Sequence, residues 1–517
     1  MHRWVTAVLV VLVLPAGARP TTYLVTPDGS GDFPTIQAAI NESAEGDTVE
    51  LASGVFVGPG NRDIDFLGKG VVVRSRFGNP DSCVVDCQGS EADPHIGFLF
   101  VSEEGTGSIL EGISIINGYA GGVGNERYGG AIRCGDFEST SSPTIVQCVI
   151  SRCHAVQGGG IACFYSAPSI LRCKFTQNTS ESAGGAVLIE HADNGMTITE
   201  SVFFDNATSG DGGAVNCIWS SLTVTDCRFE GNSSWQPGGA IRLYRVTALV
   251  SDCVFVFNGT SSDGGAISAN YSSLHATEST FARNYAGDDG GGMMWDGYDE
   301  SLSILECTFH ENLAESGGGI YLDGQATPII SNSILASSVD GGGLRHPISC
   351  EPMLSCCDIY GNYGGDWVGG IADQYGIRGN FSADPCFCDV GNDDFHLWNY
   401  SPCNRESSCG LIGALGVGCW DAQAVDGTVH TSRLSVWPNP VVGTAHIRYG
   451  LPVASSRDAR LNIYDPAGRL IRTLTGNGGT LTWDATDAMG RRFDQGVYFF
   501  RLRTSESEIT KRVVIIR

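Results

Sequence analysis

The sequence predicts an all-β molecule, a right-handed parallel β-helix followed by a small C-terminal β-sandwich. Three observations carry this. One short phrase recurs at a nearly constant step, apolar and polar residues alternate within each copy, and the composition changes near residue 433. The phrase has two parts. The first runs Cys or Ser, any residue, Phe, two residues, Asn, as in "CRFEGN" (227–232) and "CVFVFN" (253–258). The second is Gly-Gly-small-aliphatic, as in "GGAI" at 238–241 and 264–267. Successive copies are 25 to 28 residues apart between 153 and 362, so each is one structural unit stacked on its neighbours.

Within a unit, stretches such as "SLTVTDCRF" (221–229) alternate with the period of a strand, and Gly, Asn and Ser interrupt every segment before a helix could form. Short strands joined by bends coil into rungs about 4.8 Å apart, with the usual right hand of parallel crossings. The recurring positions then face one another. Phe229, Phe255, Phe281 and Phe309 are expected to stack inside the coil. Cys227, Cys253 and Cys307, with Ser201 and Ser279 as isosteres, form a second column. Asn178, Asn206, Asn232, Asn258, Asn284 and Asn312 are expected to form a hydrogen-bonded amide ladder at a bend.

These repeats resemble those of chlamydial polymorphic outer-membrane proteins over roughly 112–362, on the pairing of Gly-Gly-Ala-Ile with Phe-x-x-Asn. The opening "YLVTPDGSGDFPTIQAAINESAEGDTVELASGVF" (23–56) is similar to that of pectin methylesterases and other extracellular β-helix proteins. That resemblance implies a helix near Ile36–Ser43 covering the open end of a pectate-lyase-like solenoid. It implies no esterase activity, because the catalytic signature is absent.

The start, "MHRWVTAVLVVLVLPAGARP", reads as a signal peptide over 1–18: basic residues, an apolar run too short to span a bilayer, then small residues. The expected divisions are 19–111 for the N-terminal cap and first rungs, 112–383 for the repeats, and 384–420 for a cysteine-rich C-terminal cap. A linker over 421–433 and a sandwich over 434–517 follow. The cap resembles the closing segment of secreted bacterial β-helix proteins. Cys386, Cys388, Cys403, Cys409 and Cys419 lack zinc-finger spacing, and in an exported chain they read as disulfide partners of undetermined connectivity.

After residue 433 cysteine disappears and arginine rises, with strand-like segments such as "RLNIYDPAGRLIRTL" and "GVYFFRL". Pro438-Asn439-Pro440, Tyr464-Asp465 with Gly468-Arg469, Trp483-Asp484, Gly490 and Gly496-Val497-Tyr498 resemble the C-terminal sorting domain of type IX secretion cargo and its FlgD-like, immunoglobulin-like relatives. The resemblance implies an immunoglobulin-like sandwich that engages secretion machinery and leaves the protein secreted or on the cell surface, associated with the outer membrane.

The net charge is −26, yet the tail from Arg433 holds 13 Lys plus Arg against 7 Asp plus Glu, so the body carries all the negative balance. Such a body excludes nucleic acid and anionic membranes as partners. No later segment is apolar enough for a transmembrane helix. Counting from the aliphatic after Gly-Gly places Tyr165, His191, Trp219, Arg245 and Tyr271 on one outer line, a pattern suited to an extended glycan of a host or neighbouring surface. One position earlier, Asp296 and Asp323 fall on adjacent rungs, at the separation of a retaining glycosidase pair, and are the candidate catalytic carboxylates. Asp211, Asp263, Asp288 and Asp289, just before Gly-Gly, have the chemistry of calcium ligands and equally that of turns, and the turn reading is preferred, so no cofactor or metal is expected. The sequence therefore points to binding or adhesion, with a polysaccharide lyase or hydrolase on the same scaffold as the rival.

Overall fold

The structure, a computed structural model, describes residues 19–420 apart from 123, 137, 193 and 405–408. In the C-terminal region it describes 433–437, 441–442, 445–450, 460–465, 469–474, 480–483, 486, 496–503 and 508–516. The expected signal peptide, most of the linker and the markers at 438–440, 468, 484 and 490 lie outside these residues.

Residues 19–362 wind into one coil of parallel sheets of 13, 12, 7 and 11 strands. One turn shows the plan: Ser221–Thr225 on the first face, Arg228–Glu230 on the second, Ser233–Ser234 on the third and Ile241–Tyr244 on the fourth. Each strand pairs in register with its equivalent one turn later, Phe229 with Phe255 and Ile241 with Ile267. The period-two alternation decides which side chains enter: Leu222 and Val224 are buried while Ser221, Thr223 and Thr225 point out.

The interior columns follow. The rings of Phe175, Phe203, Phe229, Phe255, Phe281 and Phe309 stack at centroid spacings of 4.6–4.9 Å, within 6° of parallel. Along the amide ladder, Asn232 Oδ1 accepts from the backbone N–H and the Nδ2 of Asn206, while its own Nδ2 donates to Phe203 O and Asn258 Oδ1. The same pattern joins Asn178 through Asn312. In the sulfur and hydroxyl column, Cys227 Sγ donates to Thr225 O and accepts from Ser201 N–H, and Ser279 Oγ donates to Thr277 O and accepts from Cys253 N–H. Cysteine and serine are interchangeable there because both fill the same bent pocket and complete the same two bonds.

Most repeats turn through left-handed backbone at four places. Glycine takes one, as at Gly238 with φ of 84°. There an added Cβ would lie 2.6 Å from Ile241 O, so the Gly-Gly pair is sterically required. Non-glycine residues take others: Asp226 (φ 53°) before the sulfur column, Asp205 (52°) before the amide ladder and Trp219 (47°) after the fourth face. This conformation costs L-residues roughly 1–2 kcal/mol each, offset here by the ladder bonds on both sides.

The helix Ile36–Glu42 closes the N-terminal end. Thr35 Oγ1 accepts from Ala38 N–H as its N-cap, and Ile36, Ala39 and Ile40 are buried. The disulfides Cys356–Cys409 and Cys388–Cys419 fix the segment that follows the coil, whereas Cys403 keeps its thiol. Two of the five cysteines read from the sequence thus pair with each other, and a third reaches back to the last rungs. This segment lies along the flank of the coil. Phe387, Phe395, Leu397 and Ile412 cover the outward positions Val256, Ala282, Ile334 and Ala336 of the second face. Arg283 locks the contact, its Nε 2.9 Å from Glu311 Oε2 and its other nitrogens donating to Asp393 and to Val390 O. In the tail, the described strands form sheets of three and five around Ile447, Ile463, Trp483 and Phe500. Among the described residues no helix is long and apolar enough to cross a membrane.

Candidate functional site

The outer line drawn from the sequence exists as a column. Tyr165, His191, Trp219, Arg245 and Tyr271 all sit at the left-handed corner between the fourth and first faces, with φ of 47–58°. Each N–H donates one rung onward, as Trp219 to Tyr244 O and Tyr271 to Asp296 O. This corner turns the side chains outward, leaving Tyr165, Trp219 and Tyr271 38–42% exposed. The counterpart by count on the preceding rung, Asp136, instead accepts from the turn amides of Glu138 and Ser139.

The rings interact with one another. Tyr165 and His191 stack at 5.0 Å and 6°, and His191 and Trp219 at 4.9 Å and 18°. Their facing surfaces are occupied, so this part of the column presents ring edges. Arg245 interrupts the stack, and its guanidinium lies 5.8 Å from the Tyr244 ring. Tyr244, which the sequence reading passed over, stands edge-on to both Trp219 and Tyr271. Beside this break lies an open depression of about 310 Å³ lined by Arg245, Val246, Thr247, Tyr271, Ser273 and Glu300. Thr247, Ser273 and Glu300 were also missed. The signal for Thr247 and Ser273 is register, since they pair on consecutive rungs of the first face.

Asp296 and Asp323 are in direct register on adjacent strands of the fourth face. Burial first, and the Asp323 carboxylate second, push the Asp296 carboxyl above its usual range. Asn270 Nδ2 reaches Asp296 Oδ2 at 3.5 Å, and Asp323 Oδ1 accepts from Gly324 N–H at 2.7 Å. Of the aspartates before Gly-Gly, Asp263 Oδ1 accepts from Asp289 N–H on the next rung, and Asp211 lies 3.8 Å from Arg242 Nε. Burial and the neighbouring Asp263 raise Asp289 to about 6. Among the described residues no three His, Cys, Asp or Glu side chains converge as a metal site.

Comparison with known proteins decides the class. Residues 138–300 match the family described as right-handed beta helix region, and residues 435–516 match the family described as secretion system C-terminal sorting domain. The chain is a right-handed β-helix protein with a C-terminal sorting domain. No curated protein matches it. Two solved structures from Porphyromonas gingivalis are similar over short stretches. PorZ, described as an essential bacterial surface component of the type-IX secretion system, is 26% identical over 16% of this chain and 11% of its own, with a TM-score of 0.14. Dimeric latent PorU is 23% identical over 18% of this chain and 10% of its own, with a TM-score of 0.15. The β-helix protein thus spans about a tenth of the length of each.

Proposed function

We propose that this β-helix protein is exported by a type IX-like route, held at or near the outer membrane through its tail, and binds extracellular polysaccharide along the aromatic corner. The depression at Tyr271 carries the binding reading. It joins an exposed ring, a guanidinium, two hydroxyls and the Glu300 carboxylate on one open surface, the mixture of apolar face and hydrogen-bonding groups that a sugar ring requires. The sorting-domain match supports engagement with secretion machinery.

Incubating the purified protein with insoluble and soluble polysaccharides tests the reading. It expects retention on at least one glycan, weakened by Tyr271→Ala and Trp219→Ala, with no new reducing ends or unsaturated products. Retention unchanged in both variants would remove the aromatic corner from the site. The register of Asp296 with Asp323, and the raised Asp296 carboxyl, favour a second reading as a polysaccharide hydrolase or lyase. Product formation abolished by Asp296→Ala with Asp323→Ala would establish it.

A further inference from the structure

The first face of the coil carries an array of hydroxyl groups. Thr199, Thr225, Ser251 and Thr277 point outward on four consecutive rungs, in direct register. A second file runs through Thr144, Ser169, Thr197 and Thr223. The hydroxyls also touch along the files, Ser251 Oγ with Thr225 Oγ1 at 3.2 Å and Thr197 Oγ1 with Ser169 Oγ at 3.4 Å. The strands from Thr144–Val146 to Met353–Ser355 place no Asp, Glu, Lys or Arg on the outward side of this face, in a chain where 17% of residues are charged.

The two edges of the face differ. One is the aromatic corner, and the depression joins it to the array through Thr247 and Ser273. The other is a rail of carboxylates, Glu200, Asp226, Asp252, Glu278 and Glu306, each one residue beyond the last outward position of its strand. The rail is dense enough that the neighbouring Asp252 raises the Glu278 carboxyl. An anionic polymer laid on the face would meet this rail and be repelled, whereas an uncharged one would not.

Resting on the glycan-binding reading, we infer that the hydroxyl face is the main contact surface and that its ligand is an uncharged polysaccharide presenting a flat, ordered surface. Rows of hydroxyls repeating every rung, about 4.8 Å apart, meet rows of sugar hydroxyls as both donors and acceptors, and the aromatic edge receives the margin of the ligand. Uronate and sulfated glycans are excluded by the rail.

Adsorption of the full chain to microcrystalline cellulose, chitin and insoluble mannan, set against alginate and polygalacturonate gels, tests this. The expected result is retention on an uncharged polymer with none on the acidic gels. The double variant Thr223→Val and Thr225→Val, which preserves strand propensity and shape, is expected to lower affinity about tenfold. Thr225→Asp, which moves the rail inward, provides an independent check and is expected to weaken retention as well. Preference for the acidic gels, or unchanged retention in both variants, would overturn the inference while leaving glycan binding standing. Retention on no polysaccharide would overturn both readings, and so would adsorption to ice alone, which would assign the array to ordered water.

Discussion

The amide ladder concentrates a large share of the coil's specificity in single residues. Asn232 is fully buried, and each of its polar atoms is bonded to a neighbouring rung. Asn232→Ala takes away the acceptor of the buried Asn206 N–H and one donor to the Phe203 carbonyl, at a cost of roughly 2–4 kcal/mol, read as a shift of the urea midpoint. A second buried group gives the protein a pH dependence. Burial raises the Asp358 carboxyl to about 7, opposed by hydrogen bonds from Ala383 N–H and the Cys403 thiol. A carboxyl whose folded pKa is raised favours the fold while protonated. Its contribution is therefore complete below about pH 4 and is lost as pH rises towards 7. Thermal melts across this window should show a decline that Asp358→Asn flattens.

At the scale of elements, what the sequence reveals depends on whether a feature repeats. The Phe stack and the Asn ladder are legible because one interior position is restated on every rung. The aromatic corner is legible by counting from Gly-Gly. The flank segment is not, because its evidence is a change in outward positions, from Arg228 and Glu230 to Val254 and Val256 and then Ile334 and Ala336. Alternation marks those positions as solvent-facing, and only their size and polarity indicate a cover. The Cys356–Cys409 pair is hidden for a similar reason, since Cys356 lies in the last rungs, outside the cysteine-rich segment. The left-handed corner before the amide ladder leaves no composition signal, because Gln177, Asp205, Phe257 and Arg283 share only their geometry. Replacing Cys356 and Cys409 by Ser opens a link across 53 residues and should cost about 2–5 kcal/mol. The flank segment would then exchange hydrogen and be cleaved by protease before the coil, and equal protection of both would show that the apolar contact alone holds it.

At the scale of the whole molecule, the coil behaves as a ruler. Any chemistry placed at one position of the repeat is copied along an edge or face, so binding surfaces are long and periodic where those of most globular proteins are local. The acidic rail, the hydroxyl array and the aromatic corner are three such lines running side by side. The tail, with its opposite charge balance, is the part that matches the sorting-domain family. Hydroxyl-radical footprinting of the full chain, with and without a retained polysaccharide, tests the account most directly. Protection of Tyr165, Trp219 and Tyr271, residues spread along one corner of the coil, is the expected result. Trp235 and Tyr363, 71% and 68% exposed on other surfaces, should stay unprotected. Protection confined to the flank segment or the tail, or spread evenly over every exposed ring, would contradict it.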